Sequence, residues 1–448
     1  MTGGTSTKPE REEAAAESAV TMRRVLALAL PALGVLAANP LYLLLDTAVI
    51  GRLGAGQLAA LAAGATVQST VTTQLTFLSY GTTARSARFY GAGKKQRAIA
   101  EGVQATWVAL GVGVLLAAVV WVFAHPIALF LTNDAATADM AVQWMRVAAF
   151  AIPLTLIIMA GNGWLRGIQN TKLPFYLTLC GLVPGAVALP FLVARFGLVG
   201  SALANVIGMG LTAAGFLVAL IRSHSGSWAP DGRVIARQLV LGRDLILRSL
   251  SFQVAFVSAA AVAGRVSVAA LAAHQVMLQL WNFLTLVLDS LAIAAQTLTG
   301  SALGTGRIDD ARAVGEKVTR LSLWFALSLA AVFALGGPFI RRLFTSDAAV
   351  LDAMAVPWWV LIGMIAAGGI VFALDGVLLG AGDAAFLRTL TLGSVFVGFL
   401  PGIAIAYYAG TGLTGIWCGL AAMIVLRLVG VVWRFQSMGW ASLDQPED

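Results

Sequence analysis

Residues 31–64 read PALGVLAANPLYLLLDTAVIGRLGAGQLAALAAG, an apolar run with a single carboxylate, Asp46, set inside it. About 20 consecutive apolar residues cross a ~30 Å hydrocarbon core as a helix, and runs of this kind recur along all 448 residues. An ionisable side chain inside one costs on the order of 3 kcal/mol at mid-bilayer and persists only against a cavity or a partner. Pro31 and Pro40 fall in the same helix; each removes a backbone hydrogen bond and permits a bend. A helix with two prolines, Asn39 and an acid is suited to be a moving part. Asp46 therefore reads as the coupling residue of a transporter, gaining and losing a proton during the cycle. The plain alternative is snorkelling to the outer interface, and the residues that continue the span past Asp46 weigh against it.

Composition agrees with a membrane protein. Hydrophobic residues make up 59% of the chain and charged residues 11%, where a soluble domain carries about 25% charged. The short alternating segments of a β-barrel are absent. The expected fold is an all-α polytopic membrane protein: twelve transmembrane helices in two parallel-topology six-helix lobes around a central cavity. The spans fall near residues 24–50, 57–82, 98–123, 138–163, 174–194, 198–221, 244–264, 269–300, 314–336, 351–379, 386–408 and 412–435. Lys and Arg crowd the loops of one side, while the other holds only Arg52, Arg195, Arg265, Arg341 and Arg342. This positive-inside pattern accounts for the net charge of +8 without nucleic-acid binding. It places both termini in the cytoplasm of a multi-pass protein of a bacterial-type inner membrane. The polar start lacks the pattern of a signal peptide. Cys180 and Cys418 lie in spans and give no metal motif.

The chain is an internal duplication. GRLGAGQLAALAAG at Gly51 matches GRVSVAALAAHQV at Gly264, an offset of 213, and the same offset carries GAGKKQRA at Gly91 onto GTGRIDDA at Gly304. It also carries NGWLRGIQNT at Asn162 onto DGVLLGAGDA at Asp375. Six spans per repeat return the chain to its starting side, so the repeats are parallel, with substrate expected between them. The expected division is a disordered tail at 1–22, an N-terminal lobe at 23–221, a basic linker at 222–243, a C-terminal lobe at 244–436 and a tail at 437–448.

Three acids are candidates for ion coupling: Asp46, Asp289 and Asp375. Asp289 shares one helical face with Gln275, Gln279 and Asn282, and Gln296 follows on the same helix. That stripe reads as cavity-facing, with a polar seam between helices as the alternative. Asp375 and its repeat mate Asn162 sit near inner span ends, divided between structural and ion-handling roles. Tyr42, Asn39 and Gln68 join the expected substrate cavity. Trp281, Trp164, Trp144, Trp417 and Phe77 are further aromatic candidates for it, against roles in packing or interfacial belts. Glu101 and Glu316 read as solvated. No enzyme motif, metal-ligand cluster or nucleotide loop appears, so an ion gradient is the expected energy source and no cofactor is expected.

The stretch from Asp46 through Gly54, followed by Leu58-Ala59-Ala60, resembles the signature of the multidrug and toxic compound extrusion (MATE) family, with Pro31 matching the proline associated with bending of that helix. Leu271 to Gln275, Leu288-Asp289 with Ala294 to Gln296, and Asp375 to Asp383 resemble its DinF-like branch. The resemblance covers residues 24–435 and implies antiport of cationic amphipathic compounds against protons or sodium by alternating access. Two departures favour protons. The family's Asn-x-x-x-Asp-Pro of the fifth span is Gly185-Ala186-Val187-Ala188-Leu189-Pro190 here, and the seventh span, from Ser251 to Gly264, has no acid. The expected function is thus a monomeric proton-coupled multidrug antiporter that deals with the lipid bilayer and small cationic substrates, and not an enzyme. The alternatives are sodium coupling or a lipid-linked oligosaccharide flippase of the same superfamily.

Overall fold

The computed structural model describes residues 21–441; the expected tails, up to residue 20 and from 442 on, lie outside the described residues. The regular elements are helices, and no strand occurs among the described residues. The first half runs α1 (Met22–Ile50), α2 (Ala55–Gln74), α3 (Phe77–Gly91), α4 (Lys95–Thr132), α5 (Ala135–Ala148), α6 (Ala151–Gly167), α7 (Lys172–Phe196) and α8 (Leu198–Ser223). The second runs α9 (Gly232–Val266), α10 (Val268–Gly304), α11 (Ile308–Phe344), α12 (Ala348–Ala353), α13 (Pro357–Ala381), α14 (Ala384–Tyr408) and α15 (Gly412–Gln436). The repeat inferred from sequence recurs in the elements: α10 begins and ends 213 residues after α2 begins and α3 ends, and α4 and α11 start at the same offset.

Among the described residues ten helices are long and apolar enough to cross a bilayer, and α5 with α6, bent by 43°, make an eleventh if taken as one span. The remaining expected span, at 57–82, is α2 with the start of α3, which is too polar to qualify on composition. Gln68, Ser69, Thr72, Thr73, Thr76 and Ser79 face a cavity rather than lipid. The same residues explain why this span is broken where α10 is continuous. The Thr72 hydroxyl donates to the Gln68 carbonyl and the Thr76 hydroxyl to that of Thr73 (both 2.9 Å). Such back-bonding bends helices.

α1 continues through both prolines. Pro31 cannot donate to the Ala27 carbonyl one turn back, and the Thr171 hydroxyl donates to that oxygen instead, at 3.4 Å. Elsewhere small residues let backbones touch: Gly181 of α7 lies against Gly208 of α8, and Gly402 of α14 against Gly419 of α15. In lipid, where apolar side chains gain nothing by leaving tails of equal polarity, this close contact is what holds helices together. The linker differs from expectation. Residues 232–243 already belong to α9, whose first amides are capped by the Asp231 carboxylate. The remaining loop is pinned to α4, where the Gln104 side chain donates to the Ala229 carbonyl (3.0 Å) and accepts from the Asp231 amide (2.8 Å).

The lobes meet along α3, α1 and α10. Gly91 lies against the backbone of Ser301, and Gly304 against that of Arg88. These are one contact and its repeat-related copy, as a two-fold relation between parallel repeats requires. Any side chain at either glycine would collide with main chain. The Arg88 guanidinium also donates to the Ala381 carbonyl (2.8 Å) and the Gln169 amide to Ser301 (3.1 Å). All of these lie at the basic face of the bundle. The two lobes are therefore shut at the basic face, with Gln74 to Gln253 (3.0 Å) the bond nearest the middle. Toward the start of α10, Gln275, Gln279 and Asn282 are exposed.

Candidate functional site

The N-terminal lobe encloses a cavity of about 420 Å³, within the ~300–1,000 Å³ range of small-molecule sites. α1 contributes Asn39, Pro40, Tyr42 and Asp46 to its wall, α2 Gln68, α5 Trp144, and α6 Asn162 and Arg166. Leu286 of α10 closes it from the other lobe. Tyr42 and Asp46 are one helical turn apart, so both side chains project into the same space.

Asp46 is buried, at 3% exposure. Its Oδ2 accepts from the Ser201 hydroxyl of α8 at 2.8 Å, and Ser201 in turn accepts from the Trp144 indole N–H at 3.2 Å. Oδ1 has no partner, and neither has the nearby Tyr42 hydroxyl. Among the described residues no Lys or Arg pairs with Asp46. The carboxylate is thus oriented by one hydroxyl, with its second oxygen left without a partner in the cavity wall. Ser201 and Trp144 were not legible as its partners in the sequence, because each comes from a different helix.

The other acids are placed differently. Asp289 lies in the lobe interface, where the Tyr80 hydroxyl donates to its Oδ2 at 2.6 Å. Gln296 is buried and donates to the Tyr80 carbonyl at 2.7 Å. Both therefore bridge the lobes instead of lining the cavity, and Gln275, Gln279 and Asn282 do not line it either. Asp375 is buried between Arg248 of α9 and Arg427 of α15, which both donate to its Oδ2. It is neutralised within the C-terminal lobe.

Three sequence expectations are corrected. Glu101 is not solvated: it is buried and accepts two bonds of 2.7 Å from the Arg85 guanidinium. Arg248 and Arg427, counted by sequence with the basic side of the bundle, sit inside it, where both pair with Asp375, and Arg166 of the same group is buried beside Ser79. Of the aromatic candidates, Tyr42 and Trp144 line the cavity; Trp164, Trp281, Trp417 and Phe77 are buried in packing. Ring size alone does not separate a pocket wall from a helix contact.

The family model MatE matches residues 31–191 and 245–406, one stretch in each lobe. This chain belongs to the MatE family. It is similar to Protein DETOXIFICATION 44, chloroplastic, of Arabidopsis thaliana, with 30% identity over 94% of this chain and 85% of the relative. It is 29% identical to DNA damage-inducible protein F of Escherichia coli K12 over 88% of each chain. A probable multidrug resistance protein NorM of Rhizobium meliloti is 27% identical over 92% of each. A crystal structure of MATE in the bent conformation has the same fold, with a TM-score of 0.85 and 20% identity over 93% of this chain and 95% of that one. MatE proteins are transporters, so the chain is a multi-pass membrane transporter of this multidrug family and not an enzyme. In this MatE transporter the two lobes are built differently. The N-terminal lobe holds the cavity and a carboxylate that no described Lys or Arg pairs with, and the C-terminal lobe holds a carboxylate paired through one oxygen with two arginines.

Proposed function

We propose that the protein exports cationic amphipathic compounds in exchange for protons, with Asp46 as the shared site for proton and cation. The observation that carries this is the geometry of Asp46: buried in the wall of a drug-sized cavity, oriented by Ser201, with its other oxygen left without a partner and, among the described residues, no Lys or Arg paired with it. Ionised Asp46 attracts a cation from the lower dielectric of the cavity. Protonation from outside removes that attraction and releases the cargo. The same proton, carried inward when the lobes rock, is lost to the cytoplasm and restores the site. Relatives named for multidrug resistance support the substrate class. Because Asp375 is already engaged by two guanidiniums, a sodium ion at Asp375 would have to compete with both, which favours the proton. The basic, closed face is then cytoplasmic, both termini lie on that side of an inner membrane, and one chain with both lobes suffices.

Ethidium transport in proteoliposomes, driven separately by a pH step and by a sodium step, tests this. The pH step drives accumulation and the sodium step does not. Sodium-driven accumulation would overturn the ion assignment. Failure of both steps to move ethidium would remove the drug-antiport reading and put a lipid-linked flippase in its place.

A further inference from the structure

The cavity has a second charged wall that the exchange at Asp46 does not use. Arg166 is the penultimate residue of α6, is 4% exposed, and lines the cavity. Among the described residues its hydrogen bond is a 3.3 Å contact from Nη1 to the Ser79 hydroxyl, and no carboxylate pairs with it directly. Asn162, one turn earlier on the same helical face, also lines the cavity, but its unpartnered side-chain oxygen is an acceptor and offers nothing to an anion. Chain direction sets the two ends apart: Asp46 stands near the end of α1, and Arg166 near the end of α6, which runs the opposite way.

The surrounding charges do not cancel Arg166. Asp289 bears on it electrostatically but is held by Tyr80 and is also under the charge of Arg248. Asp375 is shared by Arg248 and Arg427. The cluster thus sets three guanidiniums, of Arg166, Arg248 and Arg427, against two carboxylates, of Asp289 and Asp375. A buried excess positive charge costs several kcal/mol unless an anion completes it, and the guanidinium with a free edge toward the cavity is Arg166.

We propose that the inner end of the cavity is an anion subsite built on Arg166 with Ser79, so that the preferred cargo carries a carboxylate as well as a cation. Resting on the antiport reading, this narrows its substrate class from monocations to zwitterionic amphiphiles. The cation pairs with Asp46 at one end. The carboxylate takes the planar N–H edge of Arg166 at the other, a charge-assisted contact stronger than a neutral hydrogen bond. At about 420 Å³ the space fits one compact ring system rather than a two-chain lipid.

The probes are rhodamine 110 and rhodamine 123, the same cationic ring system bearing a free carboxylate or its methyl ester. Their equilibrium binding to the detergent-solubilised full chain is read by fluorescence anisotropy. Wild type binds the free acid about tenfold more tightly than the ester. Arg166→Gln removes that preference, and Arg166→Lys keeps part of it. Equal wild-type affinity for the two dyes would overturn the anion subsite and leave drug antiport standing. The wild-type ratio decides the matter even where Arg166→Gln does not fold. If neither dye binds, the subsite falls together with the reading it rests on.

Discussion

Asp46→Asn should abolish gradient-driven drug exchange while leaving the protein folded. Asparagine is nearly the same size and can still accept from Ser201, so the helix contacts survive. What disappears is the ability to carry charge. Removing one partner of a buried charge pair costs about 2–5 kcal/mol, which weakens cation binding by at least tens of fold. Proton coupling goes with it, because an amide does not titrate. Proteoliposome uptake of ethidium under a pH step checks both effects, with circular dichroism and size-exclusion profiles to show that the fold persists. Transport by the variant at more than a tenth of the wild-type rate would mean that the coupling proton is carried elsewhere.

The second large effect is expected at Asp375, and it is one of stability. Its Oδ2 accepts from Arg248 and Arg427, which are 16% and 2% exposed at the side chain. Asp375→Asn leaves two guanidiniums facing one another with no counter-charge, a change of the kind that costs about 3–5 kcal/mol. Both guanidiniums also lie over the ring of Phe252, at 5.9 and 4.7 Å, which holds them close to one another. Thermal unfolding in detergent should drop markedly. The triple replacement Arg248→Met, Asp375→Leu and Arg427→Met should recover most of the loss, since an apolar cluster of similar volume carries no desolvation cost. An Asp375→Asn protein as stable as wild type, but unable to couple, would instead make this acid part of the ion path.

The architecture was legible because two sequence signals are long and redundant. Apolar runs mark spans, and the offset of 213 marks the repeat; the structure reproduces that offset in the ends of α2, α3 and α10. Asp46 stood out for a related reason, as a lone acid in an apolar run. The polarity of the span at 57–82 was its cavity-facing surface, so a rule based on apolar length passes over it. Compensation between distant helices was not legible. Arg166, Arg248 and Glu101 stand close to the ends of expected spans and look like loop charges when read one by one, and Arg427, inside the apolar run of the last span, gives no sign in sequence of what pairs with it. Their partners lie far away in the chain: Asp375 is 127 residues from Arg248 and 52 from Arg427. Sequence spacing likewise put Asp289, Gln275, Gln279 and Asn282 on one face of α10. It did not show that the lobe interface would take Asp289 and leave the other three clear of the cavity wall.

The central claim is that one carboxylate serves proton and cation by turns. The most direct test is the affinity of the detergent-solubilised protein for ethidium, measured from about pH 5 to about pH 9. Protons and cation compete for Asp46, so the wild-type Kd should rise as pH falls. Below the titration point of the site each unit costs about tenfold, and above it the Kd is flat. In Asp46→Asn the affinity should be weak and unchanged across the range. A wild-type Kd that does not vary with pH, or a pH dependence that survives in Asp46→Asn, would contradict the exchange at Asp46.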